Sequence, residues 1–249
     1  MMHSISDSHA AALESLSERV GGPLLALDTS SPSASVCTVG WSQEVLWEVA
    51  LGESGRPSAA LAGCLDAEFS RCDIKPSQLK ALVIGTGPGS FTGLRVGLAL
   101  AKGLALGAGV PLYGISSLAL WAASAGVGLV RPILDARRGQ FFTGLYRVSE
   151  DGTTECIEAD SLLLGEELSR RIEVGVVGEP VTFAGDGVEL LEVLACESVV
   201  KVDTLPRAHS GLLSLSERLV EGKCDAASEL VPNYLQITEA ERQALLRRQ

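Results

Sequence analysis

The residues best suited to chemistry stand at the ends of two apolar segments. Asp28, Thr29 and Ser30 follow the first segment, and Asp135 follows the second. An aspartate at such a strand end can hold a metal-bound water, and neighbouring hydroxyl and N–H groups can face phosphate oxygens. The simpler alternative is that Thr29 and Ser30 only satisfy the backbone of a tight turn. The residues alone leave both interpretations open.

A glycine-rich turn, Gly85 to Ser90, is a second place suited to an anion. It follows an apolar strand predicted over 81–84 and precedes a helix predicted over 91–106. The free N–H groups of the first helical turn could hold a phosphate. However, Ser90 stands where a dinucleotide fingerprint has its third glycine, and no Gly-Lys-Ser/Thr follows as in a P-loop. A tight connection without a ligand is the simpler explanation.

The helix after this turn has small residues at four-residue spacing: Gly93, Gly97, Ala101 and Ala105. Glycine inside a helix costs roughly 0.8–1 kcal/mol relative to alanine, so repeated glycines need a compensating contact. Either the sheet of the same chain or the helix of a partner could make that close approach.

Groups for acid–base or metal catalysis are scarce. Of the three histidines, His3 and His9 lie near the start, and His209 is expected to begin a helix. Neither His-Glu-x-x-His nor Gly-x-Ser-x-Gly is present. The six cysteines are scattered without a Cys-x-x-Cys pair, which predicts reduced thiols in a cytoplasmic protein. We therefore expect no catalytic residue and no metal site.

The charge balance disfavours direct binding of a nucleic-acid backbone. The formal net charge is −11 and no run of lysine or arginine interrupts it, whereas phosphate contacts need clustered cations. The stretch between Lys102 and Arg131 has no charge, but Pro111 and several glycines divide it into pieces shorter than the ~20 residues of a membrane span. We expect no membrane segment, and nucleic acid only through a partner.

The order of predicted elements repeats. The first half is predicted as β-β-β-α-β-α-β-α, with strands at 24–28, 34–39, 43–50, 81–84 and 111–115 and helices at 57–72, 91–106 and 117–125. The second half opens in the same way, with strands at 129–134, 140–148 and 153–158 and a helix at 162–171, and it continues with a strand near 181–184 and a helix at 208–221. This repetition predicts an α/β protein of two lobes with mixed sheets, in which Asp28 and Asp135 meet near the cleft between the lobes.

Three segments follow from this plan. Residues 1–22 are expected to be a mobile or loosely docked N-terminal extension, because Gly21-Gly22 separates them from the rest. Residues 23–127 form the N-terminal lobe and residues 128–249 the C-terminal lobe. Thr238 to Glu241 predicts the capping box of a final helix.

Five stretches, in order, resemble the TsaB (YeaZ) family. They are 24–30 (Leu-Leu-Ala-Leu-Asp-Thr-Ser), 87–97 (Gly-Pro-Gly-Ser-Phe-Thr-Gly-Leu-Arg-Val-Gly), 103–107, 114–118 and 135–139 (Asp-Ala-Arg-Arg-Gly). The resemblance covers about residues 23–236. It implies the duplicated actin/Hsp70-like (ASKHA, RNase H-like) fold, in agreement with the repeated plan.

The resemblance also implies a function and partners. Such a protein is a non-catalytic subunit that pairs with TsaD, the enzyme that transfers a threonylcarbamoyl group to an adenosine of tRNA. TsaE joins the complex, tRNA is met only through the complex, and the subunit forms a homodimer when alone. No cofactor is required, although ATP or ADP at the interface with TsaD is an option.

Site residues follow by position. The pairing helices of the family correspond to 57–72 and 91–106, which makes the small-residue side the expected interface: Leu61, Leu65, Gly93, Leu94, Gly97, Leu98 and Ala101. On this interpretation, Gly97→Leu abolishes pairing and leaves the fold intact. The expected nucleotide or phosphate contacts are Asp28, Thr29, Ser30 and Arg95.

Two departures from the family pattern and two other functions stay open. Arg56-Pro57-Ser58 stands where the family usually has His-Ser or His-Thr, and Gln236 replaces a usual arginine. Asp28 and the turn Gly185–Gly187 are compatible with an independent ATP-using phosphotransferase. A glycoprotease-like peptidase is the weaker alternative, because the paired metal-binding histidines of the sister enzyme have no counterpart here.

Overall fold

The computed structural model describes residues 5–31, 35–39, 46–50, 57–174, 179–190, 200–202 and 206–236. The helices in these ranges are α1 (Asp7–Val20), α2 (Pro57–Arg71), α3 (Phe91–Ala108), α4 (Ser117–Ala125), α5 (Gly165–Val174), α6 (Ala208–Ser214) and α7 (Ser216–Glu221). The strands are β1 (Leu24–Asp28), β2 (Ser35–Val39), β3 (Leu46–Ala50), β4 (Ala81–Gly85), β5 (Leu112–Ile115), β6 (Gly128–Asp135), β7 (Gln140–Val148), β8 (Thr154–Leu164), β9 (Val181–Ala184) and β10 (Val200–Val202).

The strands form two sheets with the same plan. The first has the order β3-β2-β1-β4-β5 and the second the order β10-β9-β6-β7-β8. In each, the opening strand pairs antiparallel with the next strand and parallel with a later one: β1 with β2 and β4, and β6 with β7 and β9. The predicted duplicated α/β fold of the actin/Hsp70-like class is confirmed.

Helices cover both faces of each sheet. Alternate strand residues point to opposite faces, so Leu25 and Leu27 pack with α2 and α3, whereas Leu24 and Ala26 pack with α4 and α6. Helix α5 covers the outer face of the second sheet through Leu168. The layers are therefore α2/α3, the first sheet, α4/α6, the second sheet and α5.

The two halves share one central core. Helix α6 comes from the second half but packs on β1, β2 and β4 of the first sheet. Its Leu212 lies in the same buried cluster as Val83 of the first sheet and Val130 of the second. The predicted boundary at 127–128 thus separates the two sheets, while the helices between them join the halves.

Helix α1 is docked on this core, so the expectation of a mobile or loosely docked extension is wrong. Ser6 caps the helix by accepting a hydrogen bond from the N–H of His9, and Gly21 ends it in the left-handed conformation. Leu13 and Leu16 are fully buried, and the helix packs on α6 and α7. Gly21 and Gly22 therefore turn the chain into β1 without detaching the helix.

Two predicted helices have different limits. Leu162 to Leu164 continue β8, where they pair with Gln140 to Phe142 of β7, and α5 begins only at Gly165. The helix predicted over 208–221 is divided at Leu215 into α6 and α7. The capping box predicted at 238–241 lies outside the described residues.

Residues 224–236, here called the C-terminal strap, run from one half to the other without regular structure. The N–H of Asp225 donates to the carbonyl of Leu112 in β5, and the N–H of Asn233 donates to the carbonyl of Thr86. At the far end, Nε2 of Gln236 donates to the carbonyl of Ala136 in the second half. The strap thereby passes over the junction between the halves.

Helix α3 is the one helix in the described ranges that is long and apolar enough to cross a membrane by length and composition. It packs on β1, β4 and β5 of the first sheet. Core helices of soluble proteins have the same length and composition, so this finding alone is weak evidence for a span.

Candidate functional site

Asp28, at the end of β1, is completely enclosed, with an exposed fraction of 0%. Its Oδ1 accepts a hydrogen bond from Oγ of Ser117 (2.9 Å), and its Oδ2 accepts one from Oγ of Ser30 (2.8 Å). Burial raises the pKa of the Asp28 carboxyl, and the bonds from Ser30 and Ser117 oppose that rise. The hydroxyls around this carboxylate hold it in the core, so they do not form an open phosphate loop.

Thr29 joins the end of β1 to α3. Its Oγ1 donates to the carbonyl of Gly93 at 2.8 Å. A Cβ on Gly93 would lie 2.0 Å from the Thr29 carbonyl oxygen, and a Cβ on Gly97 would lie 2.1 Å from Thr29 Oγ1. Both distances are far inside van der Waals contact, so only glycine fits at either position. The small-residue side of α3 therefore rests on the same chain.

The other predicted interface residues are also enclosed by the chain itself. They all lie in the buried cluster between the first sheet and its outer helices or, for Leu94, beside the glycine turn: Leu61, Leu65, Leu94, Leu98 and Ala101. A partner cannot lie against these positions in the folded chain. The interface predicted from the sequence therefore cannot consist of these residues. The expectation that Gly97→Leu leaves the fold intact is also wrong, because Gly97 packs against Thr29.

A different set of small and apolar residues is exposed on the same two helices. We call it the outer face: Ala62, Gly63 and Ala67 of α2, and Ala99, Gly103, Leu106 and Gly107 of α3. The Leu106 side chain is 77% exposed, and a Cβ on Gly63, Gly103 or Gly107 would meet no atom within 4 Å. The sequence carried a signal for it, because positions 99, 103 and 107 form a second four-residue repeat beside the buried one.

Arg95 holds the C-terminal strap and does not join the Asp28 cluster. Its Nε donates to the hydroxyl of Tyr234 at 3.0 Å, and its guanidinium lies 3.9 Å from the centre of the Phe91 ring. The rings of Phe91 and Tyr234 are stacked with their centres 4.5 Å apart. These contacts fasten the strap to the first turn of α3.

The strand end at Asp135 is built differently. Its Oδ1 accepts the N–H of Arg137 (2.7 Å), and its Oδ2 lies 3.0 Å from Nη1 of the same residue. Arg137 and Arg138 have φ angles of +69° and +58°, which cost roughly 1–2 kcal/mol per non-glycine residue. Strained residues of this kind concentrate at ligand clamps and switch regions. Asp28 and Asp135 thus each have partners of their own, and no described hydrogen bond joins them.

The turn Gly185–Gly187 supports this second strand end. Oδ1 of Asp186 accepts the N–H of Asp135 at 3.0 Å. Asp186 is therefore engaged in positioning the end of β6.

A cavity of about 850 Å³, here called the cleft cavity, opens beside the Asp135 turn. Phe91 contributes one wall from the first half, and β7 and β8 contribute another through Phe142 and Leu162. Arg137 and Arg138 lie at the turn, and residues 233–236 of the C-terminal strap also line the cavity.

A half-buried polar cluster, missed in the sequence, lies on the other side of the strap. Oγ of Ser116 donates to Oδ2 of Asp160 at 2.6 Å, and the hydroxyl of Tyr146 donates to Oδ1 of the same carboxylate. Burial raises the pKa of Asp160 and, together with the Asp160 charge, that of Tyr146. Because Ser116 also caps α4, the cluster ties β8 to that helix. Asp160 was missed because β8 was expected to end at residue 158.

In the ranges that the structure describes, no group of three or more His, Cys, Asp or Glu side chains could hold a metal ion. His209 is buried in α6 with its Nε2 3.3 Å from Nδ1 of His9. Cys64, Cys72, Cys156 and Cys224 are free thiols.

Comparison with known proteins decides the family. A model of the TsaD family, described as tRNA N6-adenosine threonylcarbamoyltransferase, matches residues 56–242. The tRNA threonylcarbamoyladenosine biosynthesis protein TsaB of Bacillus subtilis is 30% identical over 223 residues, which cover 88% of this chain and 96% of that protein. The chain belongs to the TsaB (YeaZ) family.

Two further likenesses agree with this family. TsaB of Escherichia coli is 35% identical over 167 residues, which cover 64% of this chain and 71% of that protein. The structure of YeaZ from Pseudomonas aeruginosa is 25% identical and superposes with a TM-score of 0.73, covering 86% of this chain and 100% of its own.

The departures from the TsaB pattern can now be placed. Gln236 uses its Nε2 to bind the carbonyl of Ala136 (3.1 Å) and Oε1 of Gln140 (3.3 Å), so it pins the strap to the Asp135 turn. Arg56 lies outside the described residues, and Pro57 begins α2.

Proposed function

We propose that this TsaB-family chain serves the biosynthesis of threonylcarbamoyladenosine in tRNA as a non-catalytic subunit that pairs with TsaD. The names of its relatives in Bacillus subtilis and Escherichia coli support the pathway. The match of a TsaD model to residues 56–242 supports a partner with related sequence and fold over that region.

The outer face of α2 and α3 is the observation that carries the pairing. In α3, only Leu94, Gly97, Leu98, Ala101 and Ala105 are buried, although the helix is mostly apolar and its charged residues are Arg95 and Lys102. Exposed glycine and alanine let a second helix approach closely, and Leu106 supplies a large apolar side chain to bury. Two subunits of related fold can present equivalent helices to each other about a two-fold axis.

The Asp28 cluster supports the non-catalytic part of the proposal. Both carboxylate oxygens of Asp28 accept hydrogen bonds from within the chain, and a substrate has no path to a group that is 0% exposed. The same bonds disfavour the phosphotransferase alternative, because Asp28 and Ser30 are already engaged with each other.

The remaining parts of the proposal follow from the pairing. TsaE joins the TsaD complex, tRNA is contacted through the complex because this chain has a net charge of −11, and the chain forms a homodimer through the outer face when TsaD is absent. The complex works in the cytoplasm. Pairing itself requires no cofactor, and ATP or ADP at the shared interface is an additional feature to test.

Co-expression with TsaD from the same organism tests the pairing. We expect a complex of the two chains in size-exclusion chromatography with light scattering, and modified tRNA only when both subunits are present. Leu106→Glu should abolish both results, because a carboxylate would be buried at the interface. Val220→Glu is the matched control, since Val220 is an exposed apolar helix residue away from the outer face (39% exposed).

Two outcomes would contradict the proposal. A Leu106→Glu variant that folds and still pairs with TsaD would refute the outer face as the interface. Modified tRNA at the full rate with TsaD alone would refute the subunit role altogether.

A further inference from the structure

We propose that a pocket beside β8 binds an organic cation, an ammonium or guanidinium group on an aliphatic stem, and that Asp160 receives its charge. This site goes beyond the pairing with TsaD, because its wall contains no residue of the outer face. It is also distinct from the cleft cavity. Asn233 and Leu235 of the C-terminal strap line both spaces, and the other wall residues differ.

The pocket, here called the β8 pocket, has walls from both halves of the chain. The first half contributes the end of β5 and the start of α4, and the second half contributes β7, β8 and the junction of α6 with α7. The volume is about 490 Å³. Small-molecule sites have volumes of about 300–1,000 Å³, so the β8 pocket can enclose an organic ligand.

The carboxylate of Asp160 accepts hydrogen bonds from neutral groups only. Oγ of Ser116 donates to Oδ2 at 2.6 Å, and the hydroxyl of Tyr146 donates to Oδ1. Nδ2 of Asn233 donates to Oδ2 at 3.4 Å. A carboxylate has about four lone-pair sites, so these three donors leave room for one more.

The negative charge of Asp160 has no full counter-charge in the described part of the chain. None of its described hydrogen bonds or ion pairs comes from a lysine or arginine. The N-terminus of α4, which Ser116 caps, contributes a partial positive charge of roughly half an elementary charge. An ammonium or guanidinium ligand would supply the remainder through a charge-assisted hydrogen bond.

Asp160 is the one charged residue in the described wall of the β8 pocket. Tyr146 and Cys156 also line it, and burial together with the Asp160 charge raises the pKa of both groups, so each remains neutral at physiological pH. The described wall therefore holds no cation that would repel the ligand. The net charge of −11 adds a field that attracts cations to the surface.

Much of the remaining wall is apolar and suits an aliphatic stem. The side chains concerned are Ile115, Ala119, Leu215 and Leu235. Stems of about three or four carbons carry the charge of lysine and arginine and cover apolar surface of this kind. A bare ammonium ion would leave these side chains uncovered. A divalent metal ion would find a single carboxylate, whereas it usually needs several oxygen ligands.

Such a cation can come as a free amine or as the side chain of a partner protein. Spermidine represents the first source, and a Gly-Lys-Gly tripeptide blocked at both ends represents the second. Each is titrated into the purified full chain and followed by isothermal calorimetry. A blocked Gly-norleucine-Gly peptide keeps the stem without the charge, and ammonium chloride supplies the charge without the stem.

We expect saturable binding of spermidine, of the lysine peptide or of both. The two controls should bind at least about ten-fold more weakly, because each lacks one of the two contacts. Binding of spermidine alone would assign the pocket to a free amine, and binding of the lysine peptide alone would assign it to a partner side chain.

A substitution that removes the charge tests the role of Asp160. Asp160→Asn keeps the shape of the side chain and should weaken binding about ten-fold or more, because the charge-assisted bond is lost. Glu166→Gln is the matched control. It changes the net charge by the same amount at an exposed position of α5 outside the pocket wall, so it should leave binding unchanged.

A second pair of variants fills the pocket without changing any charge. Ala159 is an exposed residue of the wall, so Ala159→Trp should abolish binding by occupying the space. Ile157→Trp lies on the same strand at a position that is 44% exposed and outside the wall, and it should bind normally. Circular dichroism and the melting temperature verify that each variant is folded. This pair decides the question if Asp160→Asn does not fold.

Three results would overturn the proposal. They are the absence of saturable binding of both spermidine and the lysine peptide at millimolar concentration, equal binding of the norleucine peptide, and binding that Asp160→Asn lowers no more than Glu166→Gln does. The experiment needs neither TsaD nor tRNA modification. Its failure therefore leaves the proposed pairing standing, and failure of the pairing leaves this site standing.

Discussion

The strand ends at Asp28 and Asp135 occupy the same position in the two halves, but the chain uses them in opposite ways. Asp28 is enclosed and bound by serine hydroxyls, and the adjacent Thr29 lies so close to α3 that Gly93 and Gly97 have no room for a side chain. Asp135 lies at an open turn, paired with Arg137 beside a cavity.

This difference shows how a duplicated plan can divide its tasks. In the first half, Asp28 is enclosed by its neighbours and cannot face a ligand. The exposed apolar surface of this half is the outer face of α2 and α3. In the second half, the equivalent position keeps its solvent access and gains two cations. Equivalent location in a repeat therefore predicts backbone geometry better than it predicts chemistry.

The largest effect is expected from filling the space between α3 and Thr29. Gly97→Leu should destabilise the chain by more than about 3 kcal/mol or prevent folding, because the new Cβ would lie 2.1 Å from Thr29 Oγ1. Gly103→Leu, on the outer face of the same helix, should fold normally and impair only pairing. Urea denaturation of both variants measures the contrast, and equal stability of the two would contradict the packing described for α3.

A smaller difference is expected between the two aspartates. Asp28→Ala removes the partner of two buried hydroxyls and should cost about 2–3 kcal/mol, whereas Asp135→Ala at the open turn should cost less than about 1 kcal/mol. The free energy of unfolding of each variant in urea measures the effect. If Asp135→Ala were the more damaging substitution, the assignment of packing to the first strand end and of surface chemistry to the second would be wrong.

The pH dependence sharpens the description of Asp28. Burial raises its pKa in the folded chain above the ordinary value of 3.8, so the folded state binds this proton more tightly than the unfolded state does. The stabilisation is complete below the ordinary value and is lost as the pH rises through the folded pKa. Asp28→Asn removes this contribution and keeps the side-chain shape.

The comparison of wild type with Asp28→Asn should therefore change with pH. The stability of the wild type relative to the variant should fall as the pH rises above about 4, as measured by urea unfolding at several pH values. A relative stability that rises over that range would show that hydrogen bonds from Ser30 and Ser117, rather than burial, dominate the carboxylate.

The smallest effect on stability is expected at the open turn. Arg137→Gln keeps the positive φ angle and loses only an exposed ion pair, so the free energy of unfolding should change by less than about 0.5 kcal/mol. Thermal unfolding measures this value. A large loss of stability would mean that Arg137 has a packing role, which would remove the contrast with Asp28.

Much of the fold is predictable because local pattern determines it. The strands 140–148 and 181–184 have the predicted limits. Ser90 and Ser116 cap α3 and α4, as is typical of a serine that directly precedes an apolar helix. Leu162 to Leu164 were assigned to a helix because a short apolar run followed by Gly-Glu-Glu fits a helix start equally well. These residues form a strand because they pair with β7, and local sequence does not reveal a contact with a strand about 20 residues earlier in the chain.

The candidate site was less predictable for the same reason. The hydrogen bond from Thr29 to Gly93 joins residues 64 positions apart, and nothing in the helical spacing of the glycines tells which surface they approach. The docking of α1 depended likewise on α6, which lies near the other end of the chain. Arg137 and Arg138 belong to the stretch 135–139 that resembles the TsaB family. Their place in the wall of the cleft cavity depends on β8 and the C-terminal strap, which follow later in the chain.

The return of α6 to the first sheet has a consequence for synthesis on the ribosome. A nascent chain that has reached residue 127 already contains all five strands of that sheet, yet α6, which packs on β1, β2 and β4 of its inner face, begins only at residue 208. At about 5–20 residues per second, the interval of roughly 80 residues takes about 4–16 seconds. During that time the apolar surface around Leu24 and Val83 lacks the part of its cover that α6 supplies, so we expect nascent chains of this protein to be clients of a chaperone.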